Sequence, residues 1–480
     1  MQFATLHFVY FFTAVLTGSW MLRRVPVARK LLLLAASYYF YGVWEWKLLG
    51  LLAASSLWNW LAGEWTVRAE SRGAKRAALI VAVTGNVGLL GFFKYYNFFR
   101  ENVAEIASAL GFEAHLPLLE VILPIGISYY TFQGLAYVID LYRGYGHRAA
   151  NLLDYLVFTA FFPQLLIGPI CRSRDLLPQL EQMPTRVPNL DRAMALIAGG
   201  LFKKVIFSTY LATNLVDAAF LAPENYSSVE LLAALYGYSI QLYLDFSGYT
   251  DIARGTALLM GFNLPPNFNN PYAAPSIGEF WRRWHMSFSY WLRDYIYFSF
   301  GGSRVPKFLA YINIFFTMLI GGLWHGAAWG YVMWGAIHGL ALALYKISLD
   351  VRRGLGNPLA GREPFTWGRL PLLIIGWFYT FHICVFARVF FRSPDMQTAW
   401  VYLERIGDLT LYGRGLDPTA LFMIVFGLAL NFIGTPLQRG FIGLHARLPM
   451  PAKVLLWMIL GILLLTLKPS EVPPYIYFKF

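Results

Sequence analysis

The 480-residue chain is 58% hydrophobic and 18% aromatic, and only 14% of its residues are charged, where an average soluble domain carries roughly a quarter. Its mean hydropathy is +0.50 and apolar runs recur from end to end, which excludes a soluble multi-domain enzyme, a disordered chain and a secreted disulfide scaffold. An all-α polytopic membrane protein remains, and its net charge of +13 calls for no nucleic acid partner, because Lys and Arg collect in cytoplasmic loops.

A spanning helix needs about 20 apolar residues. The first candidate covers 3–22, and Arg23 and Arg24 follow the apolar run. A cleavable signal peptide has the reverse order, so a retained first span with an outside N-terminus is expected. Further spans are expected near 77–93, 121–139, 205–221, 231–248, 308–324, 327–345, 370–391 and 418–435. Shorter runs near 31–43, 48–62 and 454–467, extended by Trp, Tyr or Lys anchors, bring the total to about twelve. Basic loops then set direction. Arg23, Arg24, Arg29 and Lys30, then Arg68, Arg72, Lys75 and Arg76, are expected to be cytoplasmic. So are Lys346, Arg352, Arg353, Arg362 and Arg369, and later Arg439, Arg447 and Lys453. Both termini and the acidic stretch 393–417 then fall outside.

Two regions resist simple spanning. Residues 152–204 mix an apolar run with Pro163, Pro169, Arg172, Arg174, Lys203 and Lys204. Residues 250–307 hold Asp251, Arg254, Glu279, Arg282, Arg283, Arg293, Asp294, Arg304 and Lys307 among dense aromatics. An Arg or Asp at a bilayer centre costs about 2.5–3.5 kcal/mol even on a lenient scale. Both regions are therefore expected at the interface or around a protein-enclosed wet cavity, as broken or re-entrant helices. No internal repeat, GxxxxGK[ST] phosphate loop or GxSxG nucleophile elbow is present in the sequence, which weighs against an ATP-driven pump and a serine hydrolase. Cys171 and Cys384 are the only cysteines, and two distant thiols make neither a disulfide framework nor a zinc spacing.

Three stretches carry the groups suited to chemistry. In 238–255, YSIQLYLDFSGYTDIARG, Gln241 and Asp245 lie one helical turn apart and Asp251 follows. A metal needs more converging ligands, so a polar network beside the cavity is the expected role. In 276–304, SIGEFWRRWHMSFSYWLRDYIYFSFGGSR, Glu279 precedes Arg282 and Arg283 by three and four residues, a structural ion-pair spacing. The same guanidinium groups suit phosphate, as in a coenzyme A tail. His285 follows, open to a site role or a structural hydrogen bond. In 319–342, LIGGLWHGAAWGYVMWGAIHGLAL, Gly322, Gly326 and Gly330, and again Gly335 and Gly339, are four apart and make flat faces for close helix packing. Packing does not account for His325, set between Trp324 and Gly326. Its near-neutral pKa lets it take a proton from a hydroxyl and return it. His338 lies thirteen residues on, about 220° around and roughly 20 Å along a continuous helix. On that geometry it shares neither a metal nor a substrate atom with His325, and a structural or supporting role is expected.

These stretches bear a specific resemblance. QLYLDFSGYTDIARG, the PNFNNPY turn at 266–272, FWRRWHMSFSYWLRDYIYFSFGGSR, GGLWHGAAWGYVMWGAIHG and the earlier FFPQLLIGPI at 161–170 resemble, in order and spacing, the motifs of the membrane-bound O-acyltransferases, in their alginate O-acetylation branch. The likeness spans nearly the whole chain. It implies one transmembrane domain, with N-terminal helices over 1–145, a catalytic core over 146–345 and C-terminal helices with an aromatic tail over 346–480. About twelve helices, with re-entrant and interfacial ones, are then expected around a central funnel. It implies acyl transfer from a cytoplasmic thioester toward a hydroxyl acceptor, with acetyl-CoA or another acyl thioester as donor substrate and no bound cofactor or metal. The family's histidine falls on His325 and a second motif histidine on His285. The end, YIYFKF at 475–480, is similar to the branch's aromatic C-terminus, with Tyr475 where phenylalanine is usual and Lys479 where glutamine is usual.

The resulting expectation is a multi-pass protein of the bacterial inner membrane that O-acetylates an exported polysaccharide such as alginate. His325 acts as general base with His285 beside it; Arg282, Arg283, Asp245 and Trp324 bind the donor. The outside stretch 393–417 is too small to grip a polymer in a cleft of its own, so a periplasmic acetyltransferase partner is expected to complete transfer. The acceptor hydroxyl belongs to that partner, a small carrier or Tyr477. The rival enzymatic reading is D-alanyl transfer to teichoic acids from an acyl-carrier protein. The rival outside enzymology is a transporter with no covalent step.

Overall fold

The computed structural model describes residues 1–112, 117–119, 123–357, 361, 366–411, 413 and 415–467. Arg362 and the tail 475–480, with Tyr477, lie outside the described residues. Those described are helical and contain no strand, and they make an all-α polytopic membrane protein. Seven helices among them are long and apolar enough to cross a bilayer: Arg72–Ala109, Leu190–Leu221, Lys307–His325, Trp329–Gly354, Trp367–Arg392, Pro418–Arg447 and Met450–Leu467. The remaining expected spans are also helical, as Leu6–Met21, Pro26–Glu45, Leu49–Arg68, Ile127–Arg143 and Ser228–Leu259. The first and fourth of these have only 16 and 17 residues. The other three are long enough but less apolar than the seven, and a helix packed against protein tolerates polar side chains where a lipid-facing one does not.

Two compact units make up the chain, Met1–Ile197 with Thr250–Pro265 and Ala198–Tyr249 with Pro266–Phe480. In the first, buried polar pairs join the helices. Asn59 and Asn86 exchange amide hydrogen bonds, Nδ2 to Oδ1, at 3.1 and 2.8 Å, the kind of interhelical contact that holds helices together where apolar burial alone gives little preference. Arg29 and Lys30 differ from their expected place in a cytoplasmic loop. Pro26 stands at the start of the Pro26–Glu45 helix, where its missing N–H is no loss, and this carries both cations into the fold. Arg29 is fully buried. It donates to Ser19 Oγ at 2.8 Å and the Met260 carbonyl at 2.7 Å, and also to the Pro184 carbonyl. Lys30 pairs with Asp154 at 2.5 Å. The segment after 151 is broken as its prolines and charges require, into Leu152–Ala160, Phe162–Leu165 and Ser173–Gln182.

In the second unit the 276–304 stretch is likewise broken, into Ile277–Arg283, Met286–Trp291 and a wider turn over Leu292–Tyr297. The next two helices form a tight hairpin. Lys307–His325 ends where Gly326 is extended, and Trp329–Gly354 begins three residues later. Gly322 and Gly335 meet at the crossing. A Cβ on Gly335 would stand 2.6 Å from the Met318 carbonyl oxygen and 3.2 Å from the Gly322 Cα. One on Gly322 would press into the Tyr331 carbonyl. No side chain fits between these backbones. Gly322→Val or Gly335→Val is therefore expected to cost about 1–3 kcal/mol or more through overpacking, read as a lower melting midpoint of detergent-solubilised protein. Gly354→Ala, whose Cβ meets nothing within 4 Å, should leave the midpoint unchanged.

Candidate active site

The hairpin break decides where the imidazoles go. His325 is the last residue of its helix and is 7% exposed. Its ring lies 5.0 Å from Trp334, 5.0 Å from Phe391, 4.8 Å from Trp324 and 5.6 Å from Phe288, centroid to centroid. The returning helix brings His338 back to the same place, with Trp334 between them, 4.6 Å from the His338 ring. The sequence reading that kept the two histidines about 20 Å apart along a continuous helix does not hold. The chain turns at Gly326–Ala328, and both rings line one narrow cavity. Phe280, Trp284 and Leu242 complete one part of its wall, and Phe391 and Arg388 another. It holds ≈ 290 Å³ of space free of atoms, its open mouth included.

Arg388 is the residue that the sequence reading passed over. It lies in the Leu370–Arg392 helix, is 3% exposed, and its guanidinium carbon stands 5.1 Å from both the Tyr272 and Trp284 ring centroids. The available signal was a cation inside an apolar span, which by itself marks a functional candidate.

The expected site residues separate into groups. Trp324 stacks on Phe288 at 4.2 Å and contacts His325 directly. His285 stands next to them rather than in the cavity wall, 6.0 Å from the Trp324 ring and 5.0 Å from Phe288. It caps the Met286–Trp291 helix in the left-handed region, at φ 40°. A non-glycine residue is uncommon there, and Asn267 holds it in place. The Asn267 carbonyl accepts from Met286 N at 2.9 Å, and its Oδ1 lies 3.1 Å from His285 Nδ1 and 2.9 Å from Ser287 Oγ. The His285 ring is thus fixed, with Nε2 unpartnered.

Arg282 and Arg283 both bind Glu279, at 2.8 and 2.9 Å through their Nε atoms. Burial alone would raise the Glu279 carboxyl, but the hydrogen bonds from Arg282 and Arg283 outweigh it and hold the group below the usual carboxylate range. The Arg282 side chain is more than half exposed, so part of its fork remains open to an anion. Asp245 is buried against Lys204, 2.5 Å from its Nζ, and is not among the cavity-lining residues. Asp251 faces Arg254 at 3.6 Å in the first unit. Among the described residues no group of three or more His, Cys, Asp and Glu side chains is placed to hold a metal ion.

Chemically, the cavity joins imidazoles able to carry a proton with a guanidinium able to face negative charge, behind aromatic walls that limit water. The family model for the membrane-bound O-acyltransferases matches residues 145–391, which include every residue of the cavity wall. The chain is similar to a probable alginate O-acetylase AlgI of Pseudomonas aeruginosa, 40% identical over 84% of this chain and 74% of that protein. It is similar to the probable alginate O-acetylase AlgI of Pseudomonas putida over the full length of both, at 36% identity. The peptidoglycan O-acetyltransferase of Helicobacter pylori is 34% identical over 79% of this chain and 74% of its own length. With relatives aligned along most of its length and the family's model laid over the cavity, the chain belongs to the membrane-bound O-acyltransferase family and is an acyltransferase.

Proposed function

We propose that the protein moves an acetyl group from a cytoplasmic thioester, acetyl-CoA or another acyl thioester, across the bacterial inner membrane for O-acetylation of an exported polysaccharide, alginate being one such polymer. The observation that carries this reading is His325 at the mouth of the hairpin break, on the wall of a cavity shared with His338 and Arg388. The named activities of the relatives, O-acetylation of alginate and of peptidoglycan, support a polysaccharide as the final acceptor.

In the proposed reaction His325 takes the proton of the acceptor hydroxyl as its oxygen attacks the thioester carbonyl. The tetrahedral intermediate collapses, the carbon–sulfur bond breaks, and the thiolate leaves with the proton returned from the imidazolium. One ester forms for each thioester consumed, so the thioester itself drives the step. Arg282 and Arg283 hold the donor's phosphates with the N–H groups that Glu279 leaves open, and Trp324 and His285 keep the His325 ring oriented. Asp245, tied to Lys204, secures the helix that carries Leu242. Both termini face outside. Among the described residues of 393–417 there is one short helix, Met396–Gly407, and a stretch of that size is too small to grip a polymer in a cleft of its own, so a periplasmic acetyltransferase partner delivers the group to polysaccharide. The first acceptor is a hydroxyl of that partner, of a small carrier or of Tyr477.

General acid–base catalysis is worth about 10²–10⁴-fold, so His325→Ala at normal membrane abundance should lower acetylation by that factor. Full activity would defeat the assignment. Purified protein offered labelled acetyl-CoA and, separately, an acyl-charged carrier protein should transfer label from acetyl-CoA. Transfer from the carrier alone would move the reading to D-alanyl-type chemistry, and substrate flux without any acyl transfer to a transporter. Truncation before Tyr475 should abolish polymer acetylation where Tyr477 is the acceptor; intact acetylation would remove it from the route.

A further inference from the structure

Two arginines stand one turn apart near the end of the Leu370–Arg392 helix, and they are treated differently. Arg392 has a carboxylate, Asp217 Oδ1 at 2.7 Å. Arg388 has none among the described residues. It sits between the faces of Tyr272 and Trp284, is buried, and its Nη1 makes no hydrogen bond. A buried cation with an idle donor is costly to desolvate, and two aromatic faces return only part of that cost.

The clamp around it is rigid. Tyr272, in the PNFNNPY turn, donates its hydroxyl to the Ser239 carbonyl at 2.7 Å, its carbonyl accepts from Trp377 Nε1 at 2.7 Å, and its N–H reaches Asn431 Oδ1 at 3.2 Å. Arg388 is thus held in place at the wall that His325 also lines, and His338 in the same wall has an unpartnered Nδ1. A fixed donor with spare capacity, beside a proton acceptor and away from bulk water, is the arrangement that stabilises charge appearing only during reaction.

We propose that Arg388 is a further catalytic residue, whose free guanidinium N–H binds the negative charge that forms on the acyl carbonyl oxygen when the hydroxyl at His325 attacks. This rests on the acyl-transfer reading above. The carbonyl π electrons move onto that oxygen as the new carbon–oxygen bond forms, Arg388 holds the oxyanion without giving up a proton, and the charge returns to the carbonyl as the thiolate departs.

The test is steady-state acyl transfer by full-length protein in detergent or vesicles, with acetyl-CoA as donor and wild type and His325→Ala run alongside. Removing one oxyanion donor typically costs about 10²–10³-fold in kcat. Arg388→Gln should show that loss while KM for the donor stays within about twofold, the signature of an interaction made only in the transition state. Arg388→Lys, with its charge retained between the two rings, should recover part of the loss. Wild-type kcat in Arg388→Gln, or a raised KM with kcat preserved, would overturn the assignment, the second result making Arg388 a binder of ground-state anion instead. Should Arg388→Gln fail to accumulate, Arg388→Lys decides: a kcat at least tenfold low with unchanged KM and melting midpoint supports the proposal, and wild-type kcat overturns it. Absence of acyl transfer by the wild type itself would overturn the function reading, and this assignment with it, whereas an active wild type beside a fully active Arg388→Gln overturns the assignment alone.

Discussion

Two backbones in contact at Gly322 and Gly335 govern the rest of the site. That contact exists because neither residue has a side chain to hold the helices apart, and it sets how closely the second helix returns along the first. The break at Gly326–Ala328 sits at the top of the hairpin, so His325 is delivered at a helix end while His338 and Trp334 come back opposite it. Loosening the crossing would move the imidazoles relative to one another before it touched any other part of the unit.

Around that hairpin the aromatic residues act as a frame rather than as filler. Trp324 on Phe288, Trp334 between two histidine rings, and Tyr272 with Trp284 on either side of Arg388 are each stiff groups with two side-chain torsions, and they pack directly against the polar groups of the site. The helix break at His285 follows the same logic in backbone form. A left-handed residue is tolerated because Asn267 supplies hydrogen bonds to the three residues around it.

Much of this was legible in the residues. The apolar runs located the helices and the charges in 152–204 and 250–307 foretold broken helices. The glycines foretold a close crossing, which Gly322, Gly335 and Gly339 make, but Gly322, Gly326 and Gly330 share no helix face, because the first helix ends at His325 and Gly330 belongs to the second. The spacing of Glu279 with Arg282 and Arg283 gave the ion pair directly. What escaped was whatever depends on a partner distant in sequence. His338 looked remote because one turn of chain at Gly326 reverses the axis, and periodicity assumes a straight one. Arg29 and Lys30 looked like loop cations because nothing near them in sequence announces Ser19, Asp154 or the Met260 carbonyl as partners. Arg388 was hidden by the strength of the apolar run around it, and its meaning lies in Tyr272 and Trp284, more than a hundred residues earlier.

The burial of Arg29 has a consequence for biogenesis. A ribosome releases that guanidinium 231 residues before the Met260 carbonyl it donates to, and 155 before that of Pro184. Throughout that interval the cation has no interior acceptor beyond Ser19, and a bare arginine is expensive in hydrocarbon. The opening helices must therefore wait at the headgroup level, or under the care of the insertion machinery, until the later stretch arrives to receive the charge. Assembly of this unit is completed after its helices are made rather than as each one emerges.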